Sequence, residues 1–371
     1  MKLLIATGIY PPSIGGPATY SKTLFDLLPE KGVRVKVLSF DEVRHFPKII
    51  RHILFFLKVI RIGFTSDIIY AQDPVSVGLP AFLAARLIGK SFFLKIVGDY
   101  AWEQASLRES GSHNFVSVEE FQDLELRGID LLRRAIERFV ARRAKRVIVP
   151  SQYLKGIVLK WGVPAQKVAV IQNALAAITL PSQDKKQLRN ELGMVGPTLV
   201  SAGRLVPWKG FGTLIETIAP LSIKFPSISL IIIGDGPDRK ELERYIDDFG
   251  LSRHVRLLGR VSQDLLFKYL KAADVFVLNT AYEGFPHSLL EVMALGTPIV
   301  ATEAGGNSEV VTDGEEGILI EYNHKKSLER SVERILTNEY LTSRLSSNAL
   351  AKVKHFNTEN MIEKLLVILN F

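Results

Sequence analysis

The chain has 371 residues, 47% hydrophobic and 23% charged, and it exceeds the roughly 250–300 residues at which a single core stops growing, so two domains are predicted. The lack of cysteine excludes disulfides, thiolate metal sites and a cysteine nucleophile, and fits a reducing cytoplasm. Residues 1–173 hold 25 basic and 15 acidic side chains, whereas residues 174–371 hold 22 and 24. The basic first half indicates an anionic partner, either nucleic acid or a membrane surface.

The N-terminal sequence MKLLIATGIYPP predicts a first strand, because its apolar run is too short for a secretory leader. No stretch reaches the roughly 18 uncharged apolar residues of a membrane-spanning helix. The nearest, IIRHILFFLKVIRIGF at residues 49–64, contains Arg51, Lys58 and Arg61. We expect a helix that either packs in the N-terminal domain or docks on a bilayer with its surplus apolar surface. The basic helix predicted at residues 133–146 adds weight to docking.

Short apolar runs alternate along the chain with segments of helical periodicity. Such runs predict buried parallel strands, each followed by a helix, and therefore an α/β architecture with helices on both faces of the sheets. The runs are, in order, KLLIAT, VRVKVLSF, DIIYA, SFFLKIV and RVIVPS, then PTLVSAG, SLIIIG, VRLLG, DVFVLN and TPIVAT.

The two series of strands are separated at residues 173–196, where polar residues, Pro181 and two glycines replace the apolar runs. We therefore predict an N-terminal domain at residues 1–175 and a C-terminal domain at residues 176–355, each a Rossmann-like doubly wound sheet. The carboxyl ends of the strands would face a cleft between the domains, where such folds bind ligands.

The sequence GIYPPSIGGPATYS follows the first strand and places Pro17 at the start of a helix. Gly15 and Gly16 would let the backbone approach a ligand, and the helix N-terminus would offer free N–H groups to an anion. The alternative is an ordinary βα turn. The spacing is not the G-x-G-x-x-G of a dinucleotide site, which counts against an oxidoreductase.

Two cations follow the first strand of the second series, in SAGRLVPWKGFGTLIE. Arg204 and Lys209 would lie on a turn just before a helix. A diphosphate suits this pair, because arginine can bind it with two parallel hydrogen bonds and lysine as a point charge. Alternatively, both are solvent-facing surface residues.

One carboxylate interrupts an otherwise apolar helix in AYEGFPHSLLEVMALGTPIV. Glu291 would be costly to bury without a partner. It forms S-x-x-E with Ser288, so a capping box is one explanation. Glu283 stands eight positions earlier, on the loop after the strand DVFVLN, where a parallel sheet presents ligand-binding groups. Because carboxylates accept hydrogen bonds from hydroxyls, the pair also suits a sugar or ribose.

These motifs together resemble the retaining glycosyltransferases of family 4, which have the GT-B fold. The resemblance rests on GRLVPWKG, IIGDGPDRKELE, VRLLGRVS and NTAYEGFPHSLLEVMALGTPIVATEAGGNSEVVTDGEEGILI, and in the first domain on YPPSIGGPATYS and VIVPSQYLKG. The signature of this family is the Glu-x7-Glu pair, accompanied here by Arg-x4-Lys. The resemblance also implies that a final helix at residues 356–371, opened by Asn357 or Thr358, crosses back to the first domain.

The resemblance implies that a nucleoside diphosphate sugar binds the C-terminal domain. Arg204 and Lys209 would neutralise the diphosphate as it leaves. Backbone amides near Gly15 and Gly16 would help from the other side of the cleft. No other cofactor and no metal is expected, since the sequence has no Asp-x-Asp motif.

The remaining donor contacts are also carried over from the family. Glu291 would hold the ribose hydroxyls, and the main chain around Arg260 and Val261 would contact the base. Glu283 would act on the transferred sugar and its phosphate together with the loop after it. That loop comprises Phe285, Pro286, His287, Ser288 and Leu289.

The first domain departs from the family pattern after the strand in SFFLKIVGDYAW. Many relatives have a histidine close to the anomeric carbon at this point, whereas this chain has Asp99. Asp99 could orient the sugar or stabilise positive charge at that carbon. Alternatively, it is a turn residue after Gly98. His113 is a weaker candidate for the same role.

The implied reaction is a retaining, metal-independent transfer from a UDP- or GDP-sugar to an acceptor hydroxyl, with closure of the two domains assembling the site. The hydrophobic, basic first domain favours a lipid-linked saccharide as acceptor, and the expected location is the cytoplasm or the inner face of the membrane. A soluble acceptor and a nucleotide-sugar epimerase are alternatives. A nucleic-acid partner is not expected, because aromatic and basic residues do not interleave on a strand platform.

Overall fold

The computed structural model describes residues 1–13, 15–109, 116–175 and 179–370. Its contacts divide the chain into two compact units, each built on a six-stranded parallel sheet flanked by helices. The predicted class of two doubly wound α/β domains is thereby confirmed. Unit 1 comprises Met1–Ala105, Val118–Ala176 and Phe356–Phe371, and unit 2 comprises Ser106–Ser117 and Ala177–His355.

The elements are numbered in chain order. Among the described residues the strands are β1 Lys2–Thr7, β2 Arg34–Ser39, β3 Ile68–Ala71, β4 Ser91–Lys95, β5 Arg146–Val149, β6 Val168–Val170, β7 Thr198–Ala202, β8 Ser229–Ile233, β9 Val255–Gly259, β10 Val275–Leu278, β11 Ile299–Thr302 and β12 Ile318–Ile320. The α-helices are α1 Gly16–Leu27, α2 Lys48–Gly63, α3 Gly78–Leu87, α4 Tyr100–Ser106, α5 Val118–Phe121, α6 Gly128–Arg143, α7 Gln152–Lys160, α8 Lys185–Glu191, α9 Phe211–Lys224, α10 Arg239–Asp248, α11 Gln263–Ala272, α12 His287–Leu295, α13 Lys325–Thr337, α14 Glu339–Lys352 and α15 Thr358–Leu369.

The direction in which successive strands are added reverses once within each sheet. The strand order is β2-β1-β3-β4-β5-β6 in unit 1 and β12-β11-β10-β7-β8-β9 in unit 2. The direction of winding therefore reverses between β1 and β3 in unit 1, and between β7 and β10 in unit 2. In open parallel sheets, ligands bind outside the carboxyl ends of the strands at such a reversal.

Helix α15 packs into the core of unit 1, as the fold prediction requires. Its side chains Met361, Ile362, Leu365 and Leu369 are buried against a cluster that includes Ile5 of β1. Burial of a side chain of this size stabilises a fold by about 2 kcal/mol. Asn357 opens the helix, since its Oδ1 accepts the backbone N–H of Asn360 at 2.9 Å.

Two strands, β6 and β12, are not among the predicted runs. Each has three residues and lies at one edge of its sheet. A run this short does not differ from an apolar turn in the sequence, because strand recognition depends on four or more consecutive residues. The pairing with β5 and β11 creates these strands.

Candidate active site at the carboxyl edge of the second sheet

Strands β7 and β10 are neighbours at the reversal of the second sheet, where Leu199 pairs with Val275 and Val200 with Phe276. The loop after β7 carries Arg204 and Lys209, and the loop after β10 carries Glu283. Residues that are 74 positions apart in the chain therefore meet at one edge of the sheet. This is the edge where a doubly wound sheet binds its ligand.

Hydrogen bonds tie the two loops to each other. The carbonyl of Trp208 accepts the backbone N–H of Ala281 at 2.8 Å and the hydroxyl of Thr280 at 3.1 Å. The amide of Asn279 donates to the carbonyl of Gly210 at 2.8 Å. Gly210 has φ of 57°, and a Cβ there would come within 2.4 Å of the Asn279 amide nitrogen. A glycine is therefore required where α9 begins.

Lys209 and Glu283 form a salt bridge in which both side chains are largely withdrawn from water, at 15% and 17% exposure. Arg204 is exposed, and it has no ion pair within the described part of the chain. A partly buried ammonium next to a carboxylate is positioned before any ligand arrives. Because desolvation strengthens electrostatic interactions, an incoming diphosphate would meet a preorganised cation in Lys209 and an exposed guanidinium in Arg204.

Two glycines after β11 hold the backbone of Glu283. The N–H of Gly306 donates to the carbonyl of Glu283 at 2.8 Å. Gly305 has φ of 55°, and a Cβ on it would lie 2.2 Å from that carbonyl oxygen. Any larger residue at 305 would push the loop away, so this contact fixes where Glu283 lies.

Glu291 lies on α12 among four fully buried neighbours, Leu289, Leu290, Val292 and Met293. Its own side chain is partly buried, and none of the described residues forms a hydrogen bond or ion pair with its carboxylate. Burial accordingly raises the pKa of Glu291 to about 7. A carboxylate that is desolvated without a protein partner is suited to accept hydrogen bonds from a ligand.

The capping box predicted as one explanation of Glu291 is wrong. Helix α12 begins at His287 with Pro286 as its N-cap, and the cap makes no side-chain hydrogen bond. Ser288 is already the second helical residue, so it cannot cap. Pro286 determines this start, because proline lacks the N–H needed further inside a helix. Glu291 therefore lies in the second turn.

The loop before α12 is well packed. Phe285 and Pro286 are buried, while His287 and Ser288 are partly exposed. The rings of Phe285 and His287 meet edge to face, with centroids 6.3 Å apart. In this loop, the side chains of His287 and Ser288 are the ones that a sugar could contact.

Arg260 and Val261 follow β9, at the same edge of the sheet. The side chain of Arg260 is 83% exposed, and its Nε lies 4.0 Å from a carboxylate oxygen of Asp235, which follows β8. The backbone at this point is held by the N–H of Gly234, which donates to the carbonyl of Gly259 at 2.9 Å. A base contact through the main chain of these residues stays a prediction.

Gly15 and Gly16 lie where α1 begins, after β1 of unit 1. Gly15 is the N-cap with φ of 153°, and Pro17 occupies the first turn as predicted. The carbonyl of Gly15 accepts the N–H of Thr19 at 3.1 Å. The cap makes no side-chain hydrogen bond, so the N–H groups of the first turn do not donate to a capping side chain. Their contact with a donor phosphate stays a prediction.

Asp99 lies inside unit 1 at 1% exposure. One of its carboxylate oxygens accepts the backbone N–H of Trp102 at 2.8 Å, and the other accepts Gln122 Nε2 at 2.7 Å. It is also hydrogen-bonded to the equally buried side chain of Glu137, which accepts the N–H of Tyr100 at 3.0 Å. This placement favours the turn-residue alternative, and Asp99 is left out of the candidate site. His113 lies outside the described residues.

Several residues that shape the site are not among the predicted ones. Asn279 and Asn323 are bonded to each other at 2.9 Å, and Thr302 donates to the carbonyl of Thr280 at 2.5 Å. Asn279 directly follows an apolar strand, which is a signal that a sequence can give. Asn323 has φ of 56°, and no sequence pattern distinguishes it from other asparagines. No three His, Asp or Glu side chains are grouped as metal ligands in the ranges that the structure covers.

Helix α2 has an apolar face that unit 1 does not cover. Ile49, Ile53 and Leu57 recur every four residues and stay 77%, 53% and 52% exposed, whereas Phe55 and Val59 are buried. The buried side chains show that the helix packs in unit 1, and docking of its exposed face on a bilayer stays a prediction. Across the described ranges, every helix is too short or too polar to cross a membrane.

The chain matches known glycosyltransferases over most of its length. Residues 183–352 match the family model described as glycosyl transferases group 1, and residues 14–176 match that of glycosyltransferase family 4. Over 181 residues the chain is 33% identical to the lipopolysaccharide core biosynthesis glycosyltransferase LpsE of Rhizobium meliloti, a match covering 49% of this chain and 51% of LpsE. The match thus spans about half the length of that relative.

Longer matches exist at lower identity. An uncharacterized glycosyltransferase of Methanocaldococcus jannaschii is 27% identical over 379 residues, covering 98% of this chain and 96% of that protein. The crystal structure of Anabaena Alr3699/HepE in complex with UDP-glucose superimposes with a TM-score of 0.76 at 23% identity, covering 100% of this chain and 99% of that one. With the two family models covering both units, the chain belongs to the group 1 glycosyltransferases of family 4 type, which have the GT-B fold.

Proposed function

We propose that the protein moves a sugar from a UDP- or GDP-sugar to an acceptor hydroxyl with retention of the anomeric configuration. The observation that carries the proposal is the salt bridge between Lys209 and Glu283. It lies on loops that also carry Arg204 and lead to Glu291, which has no partner among the described residues. The proposal is supported by the family of the chain and by the UDP-glucose bound to the structurally similar HepE.

The cations act on the leaving group. In this proposal the bond between the anomeric carbon and the diphosphate oxygen breaks, and the acceptor oxygen bonds to the same face of the sugar. The acceptor proton passes to the departing phosphate oxygen. Lys209 and Arg204 stabilise the charge that develops on the diphosphate, which is the largest single contribution that a preorganised site makes to rate.

The carboxylates act on hydroxyls. Glu283, held in place by Gly305 and Gly306, accepts hydrogen bonds from the transferred sugar and directs Lys209 toward its phosphate. Glu291 accepts hydrogen bonds from the ribose. The ligand hydroxyls thereby supply the hydrogen-bond partners that Glu291 lacks among the described residues.

Turnover is proposed to be independent of metal ions, because Arg204 and Lys209 provide the charge that a divalent cation provides in other transferases. Treatment with EDTA should leave the rate unchanged. A loss of activity in EDTA that Mn²⁺ restores would contradict this part of the proposal.

The proposed acceptor is a lipid-linked saccharide at the inner face of a membrane, in the assembly of a cell-surface polysaccharide or glycolipid. The exposed apolar face of α2 supports it, as does the net charge of residues 1–173, which hold 25 basic and 15 acidic side chains. The similar LpsE is named for lipopolysaccharide core biosynthesis. Nucleic acid is not a proposed partner.

The decisive experiment is a screen of the purified protein against UDP- and GDP-sugars. Thermal stabilisation and slow hydrolysis should single out one donor. The variant Arg204→Ala should weaken stabilisation by that donor, whereas Arg253→Ala, a change of equal charge on the exposed surface of unit 2, should not. Stabilisation by none of the donors would refute the proposal, and conversion of a donor into an isomeric nucleotide sugar would indicate an epimerase.

A further inference from the structure

A groove on the surface of unit 1 is lined by arginines that the proposed reaction does not use. It runs along α6 and encloses about 380 Å³. We call it the arginine groove; its lining residues are Leu131, Arg134, Ala135, Arg138, Phe139, Arg142 and Arg143. Arg134, Arg138 and Arg142 recur every four residues, so they lie one above the other on one face of the helix.

The protein itself neutralises little of this charge. Arg134 donates to the carbonyls of Phe121 and Leu124, at 3.1 and 2.8 Å, and Arg142 donates to the carbonyl of Trp161 at 2.6 Å. These partners are uncharged. In the described structure none of the four groove arginines is ion-paired, whereas their neighbour Arg133 pairs with Asp130 at 3.3 Å.

Arg138, in the middle of the row, is affected both by burial and by the charges of its neighbours. Its Nη2 donates to the backbone carbonyl and the side-chain oxygen of Gln122, at 3.0 and 3.2 Å, while its Nε is buried and has no hydrogen-bond partner among the described residues. Burial lowers the pKa of Arg138 first, and the charge of Arg134 lowers it further, despite the opposing charge of Asp99. Asp99 and Glu137 offset only part of these effects on Arg138, and a row of arginines with such an excess of positive charge is typical of a surface that binds an anion.

Apolar side chains border the arginine groove. Leu131, Leu132 and Phe139 on α6 remain 48%, 54% and 40% exposed. The Phe139 ring lies 4.3 Å from the guanidinium carbon of Arg143 and 5.7 Å from the ring of Phe82 on α3. The groove therefore offers cations and an apolar border together, which fits an amphiphilic anion better than a free one.

We propose that the arginine groove binds the phosphate of an anionic phospholipid head group and so fixes unit 1 on the membrane. The inference deepens the proposed membrane contact and rests on it. Arg138, Arg142 and Arg143 would donate to the phosphate oxygens, since guanidinium groups match phosphate geometry with paired hydrogen bonds. Leu131, Leu132 and Phe139 would enter the boundary between head groups and acyl chains.

The test measures binding of the full chain to phosphatidylcholine vesicles with and without phosphatidylglycerol. The double variant Arg142→Gln/Arg143→Gln should bind the anionic vesicles roughly 25-fold more weakly, since each cation near such a surface contributes roughly fivefold. The single variant Arg143→Gln should bind about fivefold more weakly. Because Arg143 makes no backbone hydrogen bond among the described residues, this variant is a guard against misfolding. The matched control Arg133→Gln removes a charge of α6 outside the groove and should change binding little.

The outcomes separate this inference from the proposed reaction. Donor hydrolysis in buffer without vesicles should be equal for all variants, so a groove that fails leaves the donor result intact. Equal losses for Arg133→Gln and Arg143→Gln would overturn the inference, because diffuse charge would then explain binding. Inorganic phosphate supplies the same oxygens without lipid. If it stabilised the wild type while vesicle binding stayed equal in all variants, the groove would be a site for a soluble anion.

Discussion

Each unit buries carboxylates near the carboxyl edge of its sheet, but the two units treat them differently. In unit 1, Asp99 and Glu137 are bonded to each other and to backbone N–H groups. In unit 2, Glu291 has no partner among the described residues. Burial of a carboxylate is therefore not enough to identify a site. The informative property is whether the protein satisfies it, because only an unsatisfied group gains from a ligand.

Two lysines differ in another property, their exposure to solvent. Lys95, at the end of β4, is 1% exposed and donates to the side chain of Asn173 at 2.7 Å, and its Nζ lies 3.5 Å from the centroid of the Tyr20 ring. Burial lowers its pKa to about 7. Lys209 instead retains partial exposure beside Glu283. One lysine is enclosed by unit 1, whereas the other remains within reach of a ligand.

The largest expected effect is on turnover, from Lys209→Ala. Loss of a preorganised cation at a leaving group should lower kcat/KM by roughly two to three orders of magnitude. The variant also leaves Glu283 without its cation, so denaturant unfolding of Lys209→Ala is measured to separate lost catalysis from the cost of an unpaired charge. Lys224→Ala, at the exposed end of α9, is the matched control. Unchanged turnover in Lys209→Ala would remove Lys209 from the diphosphate site.

The next effect is on donor affinity and its dependence on pH. Because Glu291 has a pKa of about 7, it is protonated below that pH and must release its proton to accept two ribose hydroxyls. Donor binding should therefore weaken as the pH falls below about 7, by up to about tenfold per pH unit. Glu291→Gln should raise the donor KM, which initial rates measure. It should also remove the pH dependence of donor binding, which titration calorimetry measures. A fall in stability with unchanged donor KM would contradict the ribose contact.

For most residues of the candidate site in unit 2, the position could be predicted from the sequence, because they lie in loops that follow strands. Arg204, Lys209 and Glu283 follow β7 and β10, and parallel strands bring their carboxyl ends together whatever the distance in the chain. Glu291 was noticeable because it interrupts an apolar helix. In these cases the local pattern contains the information that places the residue.

The role of Asp99 could not be predicted in the same way. Its partners Gln122 and Glu137 come from other elements, 23 and 38 positions along the chain, and no local pattern indicates that these side chains meet. The start of α12 was missed for a related reason. S-x-x-E is a capping signal only if Ser288 precedes the helix, whereas the helix begins at His287, one residue before Ser288, with Pro286 as its N-cap.

A smaller effect, on stability alone, is expected from Asp99→Asn. Asparagine keeps only one acceptor oxygen, so its NH2 group would face either the N–H of Trp102 or the side-chain NH2 of Gln122, which both now donate to Asp99. Leaving buried donors unsatisfied costs about 1–3 kcal/mol, which denaturant unfolding would measure, and turnover per folded molecule should not change. A large loss of turnover at unchanged stability would return Asp99 to the active site.

The smallest effect on stability, measured in acid, is expected from Glu137→Gln. Burial and the neighbouring Asp99 charge raise the pKa of Glu137 well above its usual value, so the folded protein keeps this proton at pH values where the unfolded chain releases it. The folded state then binds more protons, and the free energy of unfolding falls as the pH rises above about 4.5, by up to about 1.4 kcal/mol per pH unit. Glutamine reproduces the protonated side chain, because its amide can donate to Asp99 and its oxygen can accept from Tyr100. Unfolding of Glu137→Gln at several pH values should therefore show a flatter slope, with near-equal stability in acid. A strongly destabilised variant with the wild-type slope would mean that Glu137 is ionised in the folded protein and that unit 1, like unit 2, contains a carboxylate in need of a partner.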